Sequence, residues 1–192
     1  MSLFDDIRNS AEGRELSERW YRNKISALGG RQMTAEQHIS LGQVTGNIQS
    51  RPTYGMMNLY RYHPKYDRKY KYYDIYPLVL PIKNVRDGFV GLNFHYLSIP
   101  YRVKLLDDLK IFESTDGTRL DATYSRIRTG DMIKPVIKRY NNRFVQSMFL
   151  RIPFEDMLTA ILLPVQRFYN GPITTRRAVS ERVVHQDSRS ML

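Results

Sequence analysis

Between Tyr60 and Tyr73 the chain alternates aromatic rings with cations: Tyr60, Arg61, Tyr62, Lys65, Arg68, Lys69, Tyr70, Lys71, Tyr72 and Tyr73. Against nucleic acid such a run has a definite chemistry. Ring faces stack on exposed bases at about 1–3 kcal/mol per base, and the ammonium and guanidinium groups neutralise phosphates. A blunt or slightly frayed duplex end offers both partners. Tyrosine and arginine also dominate protein–protein interfaces, and some of these rings must pack a sheet, so the residue types alone leave three uses open. Arg176 and Arg177, with Arg182 and Arg189 further on, form a second cationic stretch suited to phosphate or to an acidic groove of a neighbouring subunit. Arg126, Arg128, Lys134, Lys138 and Arg139 form a third.

Residues that would make or break bonds are not arranged for it. His38, His63, His95 and His185 lie far apart and in no HxH or HExxH pattern, so no metal site is predicted. His63 precedes a proline and reads as a turn residue; His95, between Phe94 and Tyr96, reads as a sheet-face residue. Asp107–Asp108 and Glu155–Asp156 are adjacent pairs, and neighbours on a helix point about 100° apart, which separates rather than couples them. No phosphate-binding glycine loop or nucleophile elbow occurs. The expectation is a protein without catalytic residues or cofactor.

The 192 residues carry a net charge of +11, with 42% apolar and 12% aromatic content. That length can bury a core, and the charge attracts polyanions or acidic partner subunits. The absence of cysteine excludes disulfides, thiol nucleophiles and cysteine zinc sites. No apolar run approaches the roughly 18 residues that span a bilayer, so a soluble protein without membrane contact is expected.

Helical spacing predicts a helix over residues 3–28, and Thr34 to Gln37 forms a capping box opening a short helix to Leu41. Residues 42–53, rich in Gly, Ser, Thr and Asn, read as a linker. Alternation from Met57 predicts a strand to Tyr62, followed by a turn from His63 to Asp67. Pro77 to Ile82 predicts a buried strand near a sheet edge, because proline removes a ladder donor. Asp87-Gly88 signals a hairpin into a strand over Phe89 to Phe94. A helix is predicted over 99–112, a loop at 115–118, a second helix from Ile133 to Tyr140 and a strand from Phe144 to Ile152. Pro153 to Asp156 could open a helical turn, and 158–163 is ambiguous between helix and strand. The tail after Gly171 is poorly periodic and reads as an arm.

The central block resembles a known family. The order YxYxPK, YYDxYPLVLPI and DGFxGLNxHYLxxPxRxKLLD is carried by Tyr60, Tyr62, Pro64, Lys65, Tyr72, Tyr73, Asp74, Pro77 to Ile82, Gly88, Phe89, Gly91 to Asn93, His95 to Leu97, Pro100, Arg102 and Lys104 to Asp107. It is similar to small basic virion-associated proteins of T-even-like myophages, whose members are described as DNA end protectors or as structural proteins of the particle. The resemblance implies a virion component assembled in the host cytoplasm and supplies no catalytic residue.

Taken together, these readings predict an α+β fold. A small antiparallel sheet or partly closed barrel over 54–170 carries packing helices, an N-terminal helical arm with linker over 1–53 and a basic C-terminal arm over 171–192. The leading expectation is a non-enzymatic neck, tail or baseplate component, fastened to other phage structural subunits in a symmetric ring by its tyrosines and arms. The alternative is a protector that caps duplex DNA ends of the packaged genome. The candidate contact residues are the ten from Tyr60 to Tyr73 named above, with Arg176 and Arg177.

Overall fold

The hairpin signalled at Asp87-Gly88 forms and organises the main sheet. In the computed structural model, which describes residues 34–64, 70–109, 133–153, 156–171 and 177–192, strand β4 (Leu78–Val85) returns as β5 (Gly88–Asn93) through Arg86 and Asp87. Gly88 is required by crowding, not by a positive φ. A Cβ there would lie 1.9 Å from the Tyr140 carbonyl oxygen on the next strand, β6 (Ile137–Asn141). The predicted helix over 3–28 and the loop at 115–118 lie outside the described residues, as do Lys65, Arg68, Lys69, Arg126, Arg128 and Arg176.

Six strands make an open antiparallel sheet. With β1 (Ile48–Gln49), β2 (Asn58–Leu59) and β7 (Phe149–Arg151) the order is β1-β7-β2-β4-β5-β6. β1 and β6 remain edges, so the barrel alternative does not form. β4 lies in the interior, contrary to its expected place near an edge. The missing donor of Pro81 is absorbed by a register shift between Pro81 and Lys83, a bulge at which the ladder is interrupted anyway. A second antiparallel sheet, ordered β3-β8-β9, joins β3 (Tyr72–Asp74), β8 (Phe168–Asn170) and β9 (Ala178–Val179).

Four α-helices are present among the described residues. α1 (Ala35–Thr45) has the predicted capping box, Gln37 N–H to Thr34 Oγ1 at 3.3 Å and Thr34 N–H to Gln37 Oε1 at 2.7 Å. It runs past Leu41 into the expected linker and stops at Gly46, whose φ of 74° is the left-handed conformation that glycine accepts freely. α2 (Ile99–Asp108) is the predicted helix, α3 (Met157–Leu162) resolves the ambiguous segment as helix, and α4 is Glu181–Arg189.

The tail, read from the sequence as a basic arm, carries α4, which packs against the body. Ser180 caps it and Val184 is fully buried in the main core. The signal is short: Val184 and Ser188, one turn apart, face inward beneath an otherwise polar helix. The predicted helix at Ile133 to Tyr140 is also corrected. Ile133 to Val136 makes a turn and 137–141 is a strand, in keeping with the preference of β-branched Ile137 for extended backbone and the pairing of the segment with β5. The predicted strands at Met57 to Tyr62 and Phe144 to Ile152 shrink to β2 and β7, with a 3₁₀ turn at Asn142–Phe144 and an isolated bridge between Tyr62 and Val145.

The core has two parts. On one face of the large sheet, Leu59, Leu78, Leu80, Leu92 and Leu150 join residues of all four helices and the small sheet. On the other, Tyr60, Tyr62, Val79, Phe89, Tyr140 and Phe149 form an aromatic cluster. Tyr60 sits at its centre, its ring 5.6 Å from Tyr140 and 4.8 Å from Phe149. Edge-to-face rings add roughly 0.5–1.5 kcal/mol per pair beyond burial. Tyr60→Ala should therefore cost about 3–5 kcal/mol of stability. Exposed Tyr70→Ala should stay within about 0.5 kcal/mol of the parent. Urea unfolding of the two variants checks both, and an unchanged midpoint for Tyr60→Ala would refute the core assignment.

Candidate nucleic-acid interface

One edge of the small sheet gathers residues that are a hundred positions apart in sequence. The Gly171 N–H donates to the Lys71 carbonyl at 3.3 Å, and the Asn170 N–H donates to the Arg177 carbonyl at 3.1 Å. The Asn170 side chain returns the bond by accepting from the Arg177 N–H at 3.1 Å. Lys71 and Arg177 are thereby held on either side of the end of β8. Tyr70, adjacent to Lys71, is 48% exposed. Both cations are exposed as well, with Lys71 ion-paired to Asp187 of α4.

The remaining candidates divide by burial. Tyr60, Tyr62 and Tyr73 are core residues, so their faces are not available to bases. Tyr73 packs against Tyr169, and Tyr72 is half-buried against Tyr96 and Phe168. The Tyr72 hydroxyl is pushed up to about 12, by burial first and then by Asp187, so it remains a neutral donor. Arg61 is exposed, its backbone tied to Gln146 and Ser147. In the third cationic stretch Lys134 and Arg139 are exposed, but Lys138 turns inward. Its ammonium lies 4.0 Å from the Tyr96 ring centroid, and burial pushes it down to about 8.

The sequence reading missed a buried polar cluster behind this edge. The Asp74 carboxylate accepts from His95 Nδ1 at 2.7 Å, and its other oxygen accepts the Tyr76 and Arg167 N–H groups at 3.0 and 3.2 Å. Arg102, fully buried, donates to the carbonyls of Leu97 and Ile161 at 2.7 and 2.8 Å. His185 on α4 meets the His95 carbonyl at 3.1 Å. His95 is not a sheet-face residue but the centre of a 3₁₀ turn at Phe94–Tyr96, with no exposed surface. The available signal was the type of residue: Asp74 and His95 each interrupt an apolar, aromatic run, where a polar group survives only with partners.

Burial holds His95 and His185 neutral. For His95 desolvation outweighs the pull of Asp74, with Arg102 adding to it; for His185 burial and then Arg102 lower it to about 4 from an ordinary 6.5. The unfolded chain takes up protons near pH 6.5 while the folded one resists. Stability is therefore complete above that pH and lost as pH falls toward 4. His185 alone contributes about 3 kcal/mol to that loss, at 1.36 kcal/mol per pH unit. Urea midpoints should fall steeply from pH 7.5 to 4.5, and His185→Gln should flatten the profile. A parent midpoint independent of pH over that range would refute the buried neutral state.

Comparison with known proteins adds one finding. Residues 6–186 match the family model of the Phage T4 terminal DNA protecting protein. Nothing matches among curated proteins or among solved structures. Since the match runs through both sheets, the buried cluster and most of α4, the chain belongs to the phage T4 terminal DNA protecting protein family.

Proposed function

We propose that this protein caps the termini of linear phage DNA and shields them by occlusion, making and breaking no bond. Membership in a family described by protection of DNA termini carries this reading. The small-sheet edge supplies a physical means. Lys71 and Arg177 neutralise phosphates on either side of the end of β8, and the exposed Tyr70 ring stacks on a terminal or frayed base. Lys69 and Arg176, which precede Tyr70 and Arg177 in sequence, add charge to the same two segments. The Lys71–Asp187 pair does not oppose binding strongly, since a surface ion pair contributes only about 0–1 kcal/mol and a phosphate can replace the carboxylate. The net charge of +11 draws the protein to the polyanion, and the edge discriminates the end.

In this reading the protein enters the virion on the genome it caps, after assembly in the host cytoplasm. Ring assembly with neck, tail or baseplate subunits has no comparable observation behind it. No helix among the described residues is long and apolar enough to cross a membrane.

The test compares linear blunt duplex with covalently closed circular DNA, across a salt series and in the presence of a host-type exonuclease. Tighter binding to the linear form and protection of its ends are expected. Lys71→Glu with Arg177→Glu should weaken end binding by about 10–100-fold and lower the salt slope by about 2, at roughly 0.9 per lost phosphate contact. Tyr70→Ala should weaken it by about 10-fold, one stacking contact. Equal affinity for the two topologies would overturn the proposal.

A further inference from the structure

The β4–β5 turn carries a second cationic surface, on the other sheet. A cleft of about 570 Å³ opens between the hairpin tip, from Asn84 to Gly88, and the 3₁₀ turn at Asn142 and Arg143. Arg86 and Arg143 are both exposed, and neither guanidinium forms an ion pair among the described residues. Asp87 lines the cleft too, yet it pairs with neither. Each guanidinium presents five donors in a planar fork that fits phosphate oxygens in a bidentate manner, and the Asn84 and Asn142 amides add further donors. Two arginines converging without a carboxylate partner is an arrangement that an anion completes.

The cleft is built rather than incidental. The Asn142 N–H donates to the Asp87 carbonyl at 3.0 Å, joining the hairpin tip to the 3₁₀ turn. The Asn141 side chain accepts from the Arg143 N–H at 2.9 Å, and the Tyr62 hydroxyl accepts from the Asn141 N–H at 3.3 Å. The close passage of Gly88 against the Tyr140 carbonyl leaves no room for the strands to slide. The backbone that carries the arginines is thus fixed in advance, which lowers the ordering cost when an anion arrives.

Strand register carries the positive surface further. Val85, Gly88 and Asn141 pair across β4, β5 and β6 at the mouth of the cleft. The next row on that face is Lys83, Val90 and Arg139. Two strand spacings of about 4.8 Å put the exposed Lys83 and Arg139 backbones about 10 Å apart. Lys83 and Arg139 thus extend the positive surface of Arg86 and Arg143 along this end of the sheet, a distribution suited to the repeated phosphates of a nucleic-acid backbone.

We infer that the cleft between Arg86 and Arg143 is a second phosphate-backbone site, which grips duplex DNA independently of its end. The identity of the polyanion rests on the end-capping reading; the site itself rests on the two uncompensated arginines. Division of labour follows: the small-sheet edge recognises the terminus, and the hairpin tip holds the adjoining duplex by charge.

Binding of the full chain to a linear blunt duplex and to a closed dumbbell duplex without ends separates the two. Wild-type protein should bind the dumbbell measurably, though more weakly than the linear form. Arg86→Glu with Arg143→Glu should lose at least about 10-fold on the dumbbell, lower the salt slope on the linear form by about 2, and raise the preference for ends. Arg86→Gln with Arg143→Gln, a milder pair at exposed positions, should move all three readouts in the same direction with an unchanged thermal midpoint. Retained dumbbell affinity and slope in both variants would overturn the inference, as would a wild-type protein that ignores the dumbbell, whether or not it binds the linear form. Equal wild-type affinity for both forms, lost in the arginine variants, would instead remove end capping and leave the cleft standing.

Discussion

A carboxylate, an imidazole and a guanidinium buried together set the constraint on which the architecture depends. Asp74 comes from the small sheet, His95 from the turn that ends β5, and Arg102 from α2. Further hydrogen bonds from them reach the carbonyl of Ile161 in α3, the N–H of Arg167 before β8 and, through the His95 carbonyl, His185 in α4, while His95 Nε2 has no hydrogen-bond partner among the described residues. A buried charge left without such partners costs several kcal/mol. The two sheets and three helices can therefore meet in few ways that keep these bonds in place. That selectivity explains why a tail that looks like an arm is fastened to the body: α4 closes the cluster with His185 and the apolar core with Val184.

The tyrosines illustrate how one residue type serves two ends of the argument. Tyr60, Tyr62 and Tyr140 pack the second face of the large sheet, where Gly91 presents no side chain beside Val79 and large rings restore packing density. Tyr70, close to that cluster in sequence, is left outside it, just before the small sheet. The alternation of rings and cations in the sequence thus mixes a core with a surface. In the proposed end-capping role only the exposed ring is open to a base, while the buried ones pack the core.

Charge follows the same economy. Lys138 is drawn over Tyr96, Arg102 is buried among carbonyls, and Lys71 is matched by Asp187. These groups serve the fold or rest on a weak surface pair. Arg86, Arg143 and Arg177 form no ion pair among the described residues, and they stand on two structures held by short backbone bonds: a hairpin tip and the end of a small sheet. The end capping proposed above would call for both a fixed end-contact and charge beside it, and these two places are where the proposal puts them.

Local chemistry sufficed for several elements. The Thr34/Gln37 capping box, the Asp87-Gly88 hairpin, the apolar strand around Leu78 to Leu80 and the helix from Ile99 are determined by contacts within a few residues, so the sequence by itself specified them. Its positive charge and aromatic content likewise pointed to polyanions or acidic subunits as partners, with core packing a further use for the rings. Tertiary structure alone decided which tyrosines are buried, because Tyr60 and Tyr70 differ only in what the rest of the chain brings to them. It also decided the interior place of β4, where a bulge accommodates Pro81, and the strand at 137–141, where pairing with β5 overrides a helical pattern. The pairing of Asp74 with His95, the placing of Lys71 and Arg177 on either side of β8 and of Arg86 and Arg143 around one cleft rest on contacts between segments 21 to 106 positions apart. Such contacts depend on the packing of whole elements, which no local spacing encodes.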